Sequence, residues 1–157
     1  MTPREETARA MAYFDGCDDI VLLHKLTAEV SPRARKIVAR FLERGDEDAI
    51  PAPADLRPAR EAAPREEALR TLRTVDDFAL FQLLARAIGR RIEAIEIAAS
   101  ADFPVGVRVV VPGNPAVRTS PRIPGIVEQT GTMLQVLLDN GETWRGAPTL
   151  AKLAPRP

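Results

Sequence analysis

Two hydrophobic rhythms run along this chain, and no single secondary structure accommodates both. Phe78, Phe81, Ala85, Ile88, Ile92, Ile95 and Ala99 recur at alternating steps of three and four residues. That repeat keeps one stripe of an α-helix turned to one side. A few residues later Val105, Val107, Val109 and Val111 occupy every second position, which puts them on one face of a β-strand. The expected fold class is therefore α+β, helices first and strands last.

Helix signals accumulate before the first rhythm. Thr2-Pro3-Arg4-Glu5 joins a capping threonine to proline at the first helical position and glutamate at the capping-box spacing. Ala8, Met11 and Ala12 are then expected to face inward. Asp18 or Asp19 starts a second helix through Ile20, Val21, Leu22, Leu23 and Leu26, since a carboxylate suits the positive end of a helix. Ser31-Pro32 predicts a third helix by the same cap-plus-proline logic, with Ile37, Val38, Phe41 and Leu42 buried and Gly45 as its C-cap.

Between residues 46 and 66, prolines at 51, 53, 58 and 64 remove backbone donors and fix φ, so the segment reads as an extended spacer. Helix resumes at Glu66 or Glu67, and Thr74-Val75-Asp76-Asp77 predicts a new cap within it. The implied organisation is a helical segment over 1–45, a linker over 46–66, a long amphipathic helix over 67–100 and a small β domain over 103–157. Two partners suit the apolar seam of residues 78–99: the N-terminal helices of the same chain, or the same seam in a second copy, making a homodimer.

The last third predicts five short strands. Residues 105–111, 126–129, 133–138 and 142–145 supply four, and a turn near Leu150 leads into the fifth at Leu153. Asp139-Asn140-Gly141 marks a tight hairpin, because asparagine and glycine tolerate positive φ. Gly106-Val107-Arg108-Val109, Pro124-Gly125-Ile126-Val127 and the run from Val136 to Glu142 resemble the small SH3-like β-barrels of the KOW and Tudor type. The resemblance covers the last third only, and implies a five-stranded barrel that binds proteins or nucleic acid. The first loop, Pro112–Pro124, is longer and richer in proline than a KOW loop. The helical part carries no such resemblance.

Charge separates the same two parts. Of 22 basic and 22 acidic residues in the 157, residues 104–157 hold six basic and three acidic, a net of +3, which leaves −3 for residues 1–103. All basic residues but Lys25, Lys36 and Lys152 are arginine, a bias that fits a GC-rich bacterial genome. No apolar run is long enough to span a membrane, the N-terminus lacks the apolar stretch of a secretory signal, and one cysteine suits a reducing cytoplasm. His24 and Cys17 cannot furnish a zinc tetrad. No GxxxxGK[ST] or GxGxxG loop is present, and the pairs Asp18-Asp19 and Asp76-Asp77 are accounted for by helix starts. Neither a catalytic residue, a metal nor a cofactor is expected.

The expectation is a non-enzymatic, cytoplasmic accessory or adaptor protein whose SH3-like barrel binds a protein partner. The long first loop and the later hairpin would bring Arg118 and Arg122 beside Trp144 and Arg145, an aromatic flanked by guanidinium groups. Trp144 also suits a second place, plugging the barrel end. The alternative function is nucleic-acid binding, with Arg108, Arg118, Arg122 and Arg145 on phosphates. Trp144 is then the one aromatic of residues 104–157 available for base stacking.

Overall fold

The structure, a computed structural model, describes residues 1–43 and 55–155, apart from the side chain of Phe41. Four helices come first: α1 (Pro3–Asp15), α2 (Ile20–Glu43), α3 (Arg65–Thr74) and α4 (Phe78–Ser100). Five strands follow: β1 (Arg108–Pro112), β2 (Arg122–Gln129), β3 (Leu134–Leu138), β4 (Thr143–Gly146) and β5 (Lys152–Leu153), with a 3-10 turn at Pro148–Leu150. The fold class is α+β. The chain divides into two compact units, Met1–Ile92 and Glu93–Pro157.

Three of the expected caps are in place. The Thr2 hydroxyl accepts from the Glu5 N–H at 3.2 Å, Asp19 Oδ1 from Leu22 at 3.0 Å, and Asp77 Oδ1 from Leu80 at 3.1 Å. Each supplies an acceptor to one of the orphan donors of a first turn. The helix start expected at Ser31-Pro32 is not there. Instead α2 runs straight through, with Pro32 in its interior. Proline inside a helix costs about 3 kcal/mol relative to alanine, and it leaves the Ala28 carbonyl without its N–H. Against that, Leu22, Leu23 and Leu26 before Pro32 and Ile37 after it are buried in the core. Each such side chain contributes roughly 1.5–3 kcal/mol, so one continuous stripe outweighs one lost bond. The expected cap Gly45 lies outside the described residues.

Half of the expected spacer is fixed on the helices. The Ala59 N–H donates to the Ala8 carbonyl at 2.9 Å and the Ala63 N–H to the Arg9 carbonyl at 3.0 Å. Ala63 is buried, and α3 begins directly after Pro64. The alanines between prolines keep the N–H groups that the prolines lack, and these tie the segment to α1. Pro51 and Pro53 lie outside the described residues.

On α4, Leu80, Phe81, Leu84, Ala87 and Ile88 are buried. Phe78, Ala85, Ile92, Ile95 and Ala99 are only half-buried. The strict seam is thus right at Phe81 and Ile88 and too narrow elsewhere, since packing on several helices uses a wider face than pairing with one. The centre of that stripe is covered within the single chain.

The five strands form one antiparallel sheet in the order β4-β3-β2-β1-β5. Among the described residues the sheet does not close into the expected barrel: β4 pairs with β3 alone, and the β5 ladder on β1 is two residues long, at Val109 and Val110. After Gly146 the chain leaves the ladder through Pro148, which has no N–H to give. The Asn140-Gly141 hairpin forms as expected, with Gly141 at φ +89 and Leu138 N–H donating to Glu142 at 2.9 Å.

Two stability measurements test the helical packing. Leu84→Ala or Ile88→Ala should each lower urea-unfolding stability by roughly 2–5 kcal/mol; wild-type midpoints in both would mean the stripe is not packed. Pro32→Ala should raise the thermal midpoint, because the exposed position regains a helical donor at little loss of burial.

Candidate functional site

Trp144 belongs to the core. It is 3% exposed and packs in one cluster with Phe103, Val109, Val111, Val127, Leu134, Val136, Leu138 and Leu150. Its indole Nε1–H donates to the Pro112 carbonyl at 2.7 Å, so its one polar atom is satisfied where the long loop departs from β1. A methyl group on Gly146, two residues on and on the same face, would lie 2.4 Å from Trp144 Cη2. The ring fills the room that any larger residue needs. The expected exposed aromatic is therefore absent from the surface. An indole with a carbonyl within reach of its N–H is better buried than left in water.

Alternation then decides which side chains face outward. The register aligns Arg108, Ile126, Leu137 and Thr143 across four strands, and Lys152, Val110 and Pro124 across three. Ile126 is 39% exposed and Leu137 42%, a cross-strand apolar pair left in solvent. Beside it runs a polar chain: Arg145 Nε donates to Gln135 Oε1 at 3.1 Å, and Gln135 Nε2 donates to Glu128 Oε2 at 2.9 Å. Arg108 Nη2 pairs with Asp139 Oδ2 at 2.8 Å.

The predicted contact set does not converge on one rim. Arg122 Nη1 donates to the carbonyls of Val110 and Leu150, each at 3.1 Å, and Arg118 Nη1 reaches Thr149 O at 3.5 Å. Both arginines thus brace the Pro148–Leu150 turn. Arg145 is in register with Gln135, which faces Gln129 at the far end of β2 from Arg122. Eight residues of β2 put about 23 Å of strand between those ends at roughly 3.3 Å per residue. Arg108 lies between them, beside the apolar pair.

Sequence reasoning missed two features. Glu96, 2% exposed on α4, accepts from Thr149 N–H at 2.9 Å and Thr149 Oγ1–H at 2.6 Å, holding the turn that leads to β5. Of the two acids between Ile92 and Ala99, Glu96 is the one four residues after Ile92 and three before Ala99, on the seam's own spacing, and that was its signal. The other is Leu137, whose place between Val136 and Leu138 breaks the alternation of β3 and so marks an apolar residue facing out.

Among the described residues no group of three or more His, Cys, Asp or Glu is placed to hold a metal ion, and no helix is long and apolar enough to cross a membrane. Cys17 is buried; burial, and next the Cys17 side chain, push the neighbouring Tyr13 phenol above its ordinary range. No protein-family model, curated protein or solved structure matches the chain.

The tryptophan's place is testable. Gly146→Ala should destabilise the chain by roughly 1–3 kcal/mol, because a packed ring must move. Trp144→Phe should cost a comparable amount by leaving the Pro112 carbonyl unpaired. Stability unchanged in both variants, by circular-dichroism melts, would place the indole elsewhere.

Proposed function

We propose that the chain is a non-enzymatic, cytoplasmic accessory protein whose C-terminal β domain is SH3-like and grips an acidic segment of a protein partner. The strand order, which returns β5 beside β1, and the 3-10 turn between β4 and β5 support the SH3-like reading. The observation that carries the binding role is the outward apolar pair Ile126 and Leu137, in the same row as Arg108. An apolar centre rimmed by polar groups is the usual anatomy of an interaction patch.

The net +3 of residues 104–157 favours an acidic occupant. Arg108 and Arg145 serve as margin contacts, steering the partner more than holding it. Arg118 and Arg122 act on the turn, at the other end of β2. Trp144 supports the face from beneath. With that indole buried, no aromatic of the β domain offers a stacking platform, which sets the nucleic-acid alternative behind.

Capture from a native lysate by wild-type and Leu137→Glu chains tests this reading. Leu137→Glu should abolish capture of a partner while the protein stays folded, whereas Arg145→Ala should weaken it in a salt-dependent way. Binding to random duplex DNA that falls log-linearly with salt and survives Leu137→Glu would overturn it in favour of phosphate contacts.

A further inference from the structure

A cavity of about 280 Å³ opens in the N-terminal unit beside the proline that interrupts the α2 ladder. Its apolar wall is Val30, Pro32, Leu72 and Phe81; Leu72 and Phe81 are buried core residues. The polar wall is Glu29, Arg33, Lys36 and Arg73, one negative charge against three positive. The Glu29 carboxylate is already engaged, accepting from Arg73 Nε at 3.2 Å and Nη2 at 3.3 Å. Arg33 is held in place by Nη2 donation to the Val75 carbonyl at 3.0 Å and to Asp76 Oδ1 at 3.2 Å. Its Nε–H is buried and has no hydrogen-bond partner.

A pocket near the small end of the ligand-site range, mostly apolar with a few convergent polar groups, suits a small molecule with one polar end. With Arg73 engaged by Glu29 and Arg33 by Asp76, Lys36 adds the positive charge that says which end. We propose that this cavity binds a small monocarboxylate with an apolar body, its carboxylate between Arg33 and Lys36 and its body against Leu72 and Phe81. The site lies in the helical unit and does not depend on what the sheet binds.

Isothermal titration of the full chain with octanoate and, separately, with octanol tests it. Octanoate should bind one per chain, and octanol about ten-fold more weakly or worse, the loss of one charge-assisted contact. Because Arg33 also ties α2 to the α3–α4 turn, two exposed or half-exposed positions carry the mutational arm. Lys36→Gln should weaken octanoate several-fold and leave octanol unchanged; Glu29→Gln, which removes the one negative charge of the wall, should tighten octanoate. No octanoate binding, equal affinity for octanol, or both variants binding octanoate as wild type does would each overturn the proposal.

Discussion

The hydrogen bond from the Trp144 indole to the Pro112 carbonyl ties β4 to the end of β1, with two strands between them in the sheet order. Because β3 and β2 lie between them, that bond crosses the buried face that all four strands share. Gly146 yields its volume to the ring, and Gly125 yields its own to the backbone of β3, where a methyl group would lie 2.6 Å from the Leu137 carbonyl. These two close approaches let strands of opposite ends share one hydrophobic cluster. With the inner face so filled, the alternation of each strand sends Ile126, Leu137, Arg108 and Arg145 outward.

In the helical unit the governing constraint is a continuous apolar stripe. Pro32 is a helix breaker by local chemistry, yet it sits inside α2 because residues on both sides of it are buried. The segment before α3 shows the opposite outcome. Its prolines forbid regular structure, but Ala59 and Ala63 still donate to α1, and the segment becomes part of the packed unit. In α2 burial overrode a backbone preference of a few kcal/mol; before α3 the backbone preference stands, and two hydrogen bonds hold the irregular segment in place.

Much of this was legible residue by residue. Thr2, Asp19 and Asp77 cap helices because a short polar side chain next to an apolar run lies within reach of its own first turn. The Asn140-Gly141 hairpin was equally local, since φ +89 at Gly141 needs no distant partner to be favourable. The candidate face was harder to read. Arg118, Arg122 and Arg145 are all exposed basic residues in one small domain, and nothing local separates them. Only the folded chain's contacts show that Arg145 belongs with Gln135 and Glu128, and that Arg118 and Arg122 hold the Pro148–Leu150 turn.

By itself the sequence determined the order of helices and strands, the caps and the tight turn, because hydrophobic period and backbone chemistry act over a few residues. Tertiary structure alone decided that Trp144 is buried, that α2 survives its proline, that the sheet stays open and that Glu96 meets Thr149. Each of those outcomes is a contest between a local preference and contacts made by residues far away along the chain. Its result rests on packing volume and on available hydrogen-bond partners, which appear only once the chain is folded.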